Sequence, residues 1–208
     1  MNIDTKILKE KFGKNLIFGE RLFKYSWFNL GGPADIFFRP DNINQLKEFL
    51  HETKKINTSI NILGAGSNTL IRDNGVKGVV IKLSSNFSHI KLLDKNIIEV
   101  GAASLDRKVS DFAKNNNIGE MEFLSCIPGS VGGAIIMNSG CYGSDISKIL
   151  LSIKVINNEG QEKEIKNNEI KFSYRGSNLP GNLIILSAKF KGNISSKELI
   201  EKKQAELI

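Results

Sequence analysis

The stretch Leu63-Gly64-Ala65-Gly66-Ser67-Asn68-Thr69-Leu70, taken with Ile127-Pro128-Gly129-Ser130-Val131-Gly132-Gly133-Ala134 further along, decides how this chain is read. Both are glycine-rich turns whose backbone N–H groups stand clear of side chains, the arrangement a buried anion such as a pyrophosphate requires. Two such turns predict one large phosphate-bearing cofactor held between them. The first follows the apolar run Ile60-Asn61-Ile62-Leu63, which reads as a strand. It has Thr69 where a dinucleotide fingerprint has its third Gly or Ala, and no Gly-Lys-Ser/Thr, so a Rossmann domain and a P-loop NTPase are both disfavoured. Gly64, Ala65 and Gly66 offer bare N–H groups, while Ser67 and Asn68 add hydroxyl and amide donors. On these residues alone a plain strand-to-strand turn accounts for the stretch equally well.

In the second turn, Pro128 has its φ preset for a first helical position, and the N–H groups that follow would form the positive end of a short helix. Such an end contributes only about 0.3–1 kcal/mol, so a tight site needs several donors together with apolar burial of the ligand. Gly132 and Gly133 remove bulk and allow close approach of a ring or a neighbouring backbone. Close packing of a buried helix is the competing explanation, and it leaves Gly129 and Ser130 unexplained.

At 208 residues and 40% hydrophobic content, the chain can form one large or two small domains. Its net charge of +7 is compatible with nucleic acid or with attraction of anionic nucleotides. The lysines are spread along the chain, with no RNP-like aromatic motif and no basic helix face, so nucleic-acid binding is the weaker reading. No apolar stretch approaches the roughly 20 residues of a membrane span, and the first residues lack a signal-type apolar segment. A soluble cytoplasmic monomer, without membrane or nucleic-acid partners, is the expectation. Cys126 and Cys141 read as small buried thiols, and His51 and His89 lack metal-ligand spacing.

Coarse periodicity gives an alternating order. Ile36-Phe37-Phe38 predicts a strand, followed by a helix from about Asn42 with Leu46, Phe49 and Leu50 on one face and Asn42 and Gln45 as a capping box. Val79-Val80-Ile81 and Ile97-Ile98-Glu99-Val100 predict strands. Leu105, Val109, Phe112 and Ala113 form a helical stripe that reads as core. Asn157-Asn158-Glu159-Gly160 predicts a hairpin turn, and residues 183–190 another strand. Ser195-Ser196-Lys197-Glu198 reads as a capping-box start, with Leu199, Ile200, Leu207 and Ile208 continuing a partly apolar helix.

Four segments, in order, resemble the UDP-N-acetylenolpyruvoylglucosamine reductases, flavoenzymes of bacterial wall synthesis. They are Leu30-Gly31-Gly32-Pro33-Ala34-Asp35; the first glycine turn; the second, from Phe123, continued by Met137-Asn138-Ser139-Gly140-Cys141-Tyr142-Gly143; and Phe172-Ser173-Tyr174-Arg175-Gly176-Ser177. The resemblance implies an α+β fold of the vanillyl-alcohol-oxidase type (PCMH), with FAD held non-covalently between two α+β subdomains, residues 1–84 and 85–192. It implies NADPH as hydride donor and a UDP-sugar, UDP-N-acetylglucosamine enolpyruvate, as substrate. By the same match the cofactor-binding residues are Gly64, Ala65, Gly66, Ser67, Asn68, Leu70, Ile127, Pro128, Gly129, Ser130, Gly132, Gly133 and Asn138. Arg175 is the catalytic residue, its planar guanidinium holding the substrate carboxylate by two parallel hydrogen bonds, and Tyr174 positions it.

Two positions depart from the pattern: Asn29 stands where many relatives carry a basic residue, and Cys126 where Gly is usual. The short connection from Ser177 to Leu183 matches the subgroup without a tyrosine-bearing insertion. In the family, the helix begun at residues 193–208 leads to a third domain carrying a serine proton donor and a glutamate, neither of which the sequence contains. The expectation is a shortened reductase; the alternatives are a non-catalytic flavin-binding module or an FAD-dependent oxidase of the same superfamily.

Overall fold

The structure is a computed structural model that describes residues 5–55 and 58–207. After helix α1 (Thr5–Phe12), strand β1 (Leu16–Arg21) pairs antiparallel with β2 (Pro33–Phe38). Helix α2 (Ile43–Lys55) then carries the chain to β3 (Ile60–Ile62), and β4 (Val76–Ile81) inserts between β2 and β3, parallel to both. The resulting sheet has the order β1-β2-β4-β3.

Alternation along β2 places side chains on both faces of this sheet. Ile36 and Phe38 join Phe12, Leu46, Phe49 and Leu50 on one face, while Phe37 joins Leu22, Leu63 and Val80 on the other. The Phe38 and Phe49 rings stack with centroids 3.8 Å apart, and Phe12 meets both edge-on at 5.3 Å. Such aromatic pairs contribute about 0.5–1.5 kcal/mol beyond their burial. At the start of α2, Asn42 Oδ1 accepts from the Gln45 N–H at 3.0 Å, but Gln45 Oε1 accepts from the Asp41 N–H at 2.7 Å instead of returning to Asn42. Half of the expected capping box is therefore present.

The second sheet is antiparallel throughout. Strands β5 (Ile90–Asp94) and β6 (Ile97–Gly101) lead into α3 (Asp106–Asn115), and the second glycine turn into the short helix α4 (Val131–Ile136). A small hairpin of β7 (Gly140–Cys141) and β8 (Ser144–Asp145) precedes α5 (Ile146–Ile149). Strands β9 (Leu150–Asn157) and β10 (Glu162–Lys166) form the hairpin expected at Asn157-Asn158-Glu159-Gly160. The miniature hairpin of β11 (Phe172–Ser173) and β12 (Gly176–Ser177) is followed by β13 (Leu183–Lys191), which completes the order β10-β9-β13-β6-β5, and then by α6 (Lys197–Glu206). Ile156, Ile184 and Leu186 of this sheet pack into the same apolar cluster as Phe12, Phe38 and Phe49 of the first, so the two halves share a core.

Three local expectations need correction. Helix α4 begins at Val131 with Ser130 as its N-cap, so Pro128 precedes the cap and is not the first helical residue. Leu105 is the residue before α3 and is 46% exposed; the buried stripe is Val109 and Ala113, with Phe112 partly covered. Helix α6 is capped by Ser196, whose hydroxyl accepts from the Leu199 N–H, one residue later than the sequence places it. Ile200 is buried and Leu199 is not, and Ile208 lies outside the described residues.

Candidate flavin site

The two glycine turns meet. A Cβ added to Gly64 would stand 2.8 Å from Ser130 Oγ, although β4, β5, β6 and α3 separate the two residues in sequence. Topology does this: β3 delivers the first turn at the edge of its sheet, while the 102–106 segment after β6 grips the second. The N–H groups of Val131 and Gly132 donate to the carbonyls of Ser104 and Ala102 at 3.0 and 2.9 Å, and the Asp106 N–H donates to the Gly129 carbonyl at 3.1 Å.

Those bonds occupy the flank of the second turn and leave other donors open. Among the described residues, the N–H groups of Gly64, Ala65, Gly66, Ser67 and Asn68, and those of Gly129, Ser130 and Gly133, donate to no protein acceptor. An unpaired, partly buried N–H is costly unless something accepts from it. Eight open donors on two adjoining turns, six of them on buried or half-buried residues, with no carboxylate hydrogen-bonded to them, form a surface that fits an extended anion.

Each turn is braced from behind. Gly66 adopts φ +76°, and a Cβ there would lie 1.9 Å from the Tyr25 carbonyl oxygen; its own carbonyl accepts from the Trp27 N–H at 3.0 Å. Lys82 Nζ donates to the Gly64 carbonyl. Burial, followed by the nearby Arg39 charge, holds the Lys82 ammonium below its ordinary range. Behind the second turn, Asp106 Oδ2 lies 2.6 Å from the position of a Cβ on Gly129. Asp106 is fully buried and neither carboxylate oxygen has a hydrogen-bond partner. The α3 N-terminus favours its anion by about 0.3–1 kcal/mol, but burial outweighs this and pushes the carboxyl up to about 8.

Leu70 is 70% exposed beside the first turn, and Ile127 is half-buried with its N–H bonded to the Leu124 carbonyl at 3.2 Å. Asn138 has both ends of its amide engaged within the protein. Its Nδ2 donates to the Ser173 carbonyl at 3.2 Å and its Oδ1 accepts from the Ser147 N–H at 3.0 Å. It thus ties α4 to the hairpin that carries Arg175. Tyr174 and Arg175 are the two tip residues of that hairpin. Arg175 sits at φ +59°, its guanidinium 5.4 Å from the Tyr174 ring centroid and donating to the Gly140 carbonyl at 3.2 Å. The Tyr174 side of the pair is open to solvent.

Cys126 and Cys141 are only half-buried. The Cys126 thiol donates to the Leu207 carbonyl and the Cys141 thiol to the Phe123 carbonyl, both at 3.4 Å. Burial and then Cys126 raise the Cys141 thiol above its ordinary range, with Arg175 opposing. Asn29 takes φ +52°, a left-handed conformation that Asn tolerates better than a long basic residue.

Sequence reading missed Lys82 and Asp106. Lys82 ends the apolar run Val79-Val80-Ile81, and a lysine there reads as the solvent end of a strand. Asp106 reads as an ordinary first-turn acid.

The two sheets with paired glycine turns at their junction define an FAD-binding domain of the vanillyl-alcohol-oxidase type. The FAD binding domain family matches residues 34–166. A UDP-N-acetylenolpyruvoylglucosamine reductase of Pelagibacter ubique (strain HTCC1062) is 48% identical over 204 residues, covering 98% of this chain and 67% of its own. One of Rickettsia massiliae (strain Mtu5) is 46% identical over 175 residues, covering 84% and 59%. The crystal structure of the Thermus caldophilus UDP-N-acetylenolpyruvylglucosamine reductase superposes with a TM-score of 0.79 at 29% identity, over 92% of this chain and 66% of that one. An alkyldihydroxyacetonephosphate synthase shares the fold, with a TM-score of 0.62 at 16% identity over 93% and 41%. The chain belongs to the UDP-N-acetylenolpyruvoylglucosamine reductase family. It spans between 59% and 67% of the length of these two curated relatives.

Proposed function

We propose that this chain supplies the flavin-holding part of an NADPH-dependent reductase that converts UDP-N-acetylglucosamine enolpyruvate to UDP-N-acetylmuramate, a cytoplasmic step of wall synthesis. The observation that carries the reading is the group of unpaired N–H donors contributed jointly by residues 64–68 and by Gly129, Ser130 and Gly133. Their number and their position at a seam suit a pyrophosphate. Gly64 keeps the seam between the two turns clear for the ligand, and Ser67 and Ser130 add hydroxyls. Lys82, bonded to the Gly64 carbonyl, supplies a positive charge behind the anion. When bound, FAD supplies reversible hydride acceptance and delivery. The protein's part is to hold it, orient it and keep water away.

Arg175 is the residue we assign to the substrate carboxylate. A guanidinium presented at a hairpin tip, with one N–H on the Gly140 carbonyl, keeps further N–H groups for two parallel bonds to a carboxylate. Its left-handed backbone is a strained conformation for a non-glycine residue, and such strain concentrates where function over-determines geometry. The division into two flavin subdomains at residues 84 and 85 is part of the same proposal.

Anaerobic mixing of the FAD-loaded chain with NADPH, followed through the visible flavin band, tests the reading. Bleaching of the band, reversed by the enolpyruvyl substrate once the family's remaining domain is supplied, is the expected course. An FAD-loaded chain that NADPH leaves oxidised under both conditions would contradict it.

A further inference from the structure

The carboxyl of Asp106 lies directly behind the second glycine turn. It is fully buried, its Oδ2 lies 2.6 Å from the Cβ position of Gly129, and neither oxygen has a partner. The residue is built into the second turn, because its N–H holds the Gly129 carbonyl at 3.1 Å. A negative charge here would sit against the backbone whose front face offers the free Gly129 and Ser130 N–H groups. A carboxyl that keeps its proton places no charge there.

We propose that Asp106 is a positioning residue of the cofactor site that acts as an undissociated acid, so that loss of its proton weakens binding of the dinucleotide's pyrophosphate. This rests on the FAD reading given above. Burial holds the proton on the carboxyl up to about pH 8. The charged groups on surrounding elements are Arg107 and Lys108 of its own helix, both exposed, Glu122 of the 122–126 turn and Lys203 of α6. Glu122 is engaged by Lys203, with Oε1 and Nζ 3.6 Å apart. None of these groups shifts the Asp106 carboxyl, which responds to burial alone. The second turn itself, Ile127-Pro128-Gly129-Ser130, brings no titratable side chain. By linkage, an anion bound in front of Asp106 raises its proton affinity further, so FAD binding takes up a proton at alkaline pH.

The test is FAD affinity of the full 208-residue chain across about pH 6 to 9, measured by flavin fluorescence, with the fold checked by circular dichroism at each pH. The Kd of the parent should be flat to about pH 7.5 and then rise toward tenfold per pH unit. Asp106→Asn should bind within about threefold of the parent at pH 6.5 and show a flat profile. If Asp106→Asn does not fold, Asp106→Ser reads the same profile. An alkaline rise of equal size in the folded variant, a flat parent profile, or a folded variant that loses FAD at every pH would each overturn the proposal while leaving the FAD reading intact. Failure of both folded proteins to bind FAD at pH 6.5 would overturn the FAD reading and this proposal together.

Discussion

Ser130 Oγ stands 2.8 Å from where a Cβ on Gly64 would lie, so the two glycine turns form one surface. The neighbour is the end of a rotatable side chain, so Gly64→Ala should fold, with a loss of about 1 kcal/mol as Ser130 gives way. The added methyl should still lower FAD affinity by narrowing the seam, and Ser130→Ala combined with Gly64→Ala should recover the stability but not the affinity. Denaturant unfolding and FAD titration of the single and double variants read the coupling directly.

Gly66 presents the opposite case. Its φ of +76° and the Tyr25 carbonyl oxygen at 1.9 Å from the Cβ position leave no flexible group to move. Gly66→Ala should lose about 3 kcal/mol or more, seen as a lower urea midpoint than that of Gly64→Ala. Equal midpoints would show that the backbone contact is slack.

Asp106 makes stability pH-dependent without any cofactor. Its carboxyl titrates near 4 when unfolded and at about 8 when folded. The folded state therefore holds a proton that the unfolded state has released, and stability is greatest below about pH 4 and declines until about pH 8. This one group contributes a fall of about 1.4 kcal/mol per pH unit between roughly pH 5 and 7. Asp106→Asn should flatten that limb in urea unfolding of the cofactor-free chain; a variant with the parent's slope would place the titration elsewhere.

Replacing Lys82 with Met keeps the apolar stem and removes both the bond to the Gly64 carbonyl and the charge. Losing a charged hydrogen bond internal to the protein should cost about 1.5–3 kcal/mol of folding stability, and losing the charge behind the anion should lower FAD affinity by about tenfold, or roughly 1.4 kcal/mol. The effect should shrink as salt rises if the charge acts at range, and persist if the bond to Gly64 is the main contribution.

Arg175→Gly should leave the urea midpoint unchanged or raise it slightly, because φ +59° suits Gly better than Arg. Arg175→Lys should retain FAD and, in a chain with substrate turnover, lower kcat by about 100-fold. A lysine variant with full turnover would remove Arg175 from the chemistry.

The strands with β-branched or aromatic runs and the glycine turns were legible because each depends on local chemistry. Pairing across long sequence separations was not, which is why the meeting of Gly64 with Ser130 is a finding of the structure. Pro128 carries a strong local start signal that would begin α4 at that residue. Here tertiary bonds donated by the Gly132 and Val131 N–H groups to the Ala102 and Ser104 carbonyls set the start instead. The Cβ direction of Gly129 faces the buried Asp106 carboxyl, a neighbour that nothing local to the turn reveals. Gly129→Val should therefore fail through collision with a buried carboxyl. Asp106 itself was illegible because nothing in Ser104-Leu105-Asp106 reveals that the fold closes over it.

Residues 64–68 and 129–133, as proposed above, together hold a dissociable FAD. Thermal unfolding of the cofactor-free chain with and without FAD at about 100 times its Kd tests it most directly. The expected outcome is a stabilisation of about 2.7 kcal/mol, or a rise in Tm of about 5–11 °C, with FAD recovered free after denaturation. A folded chain whose Tm does not move, or whose flavin stays attached to the denatured polypeptide, would contradict it.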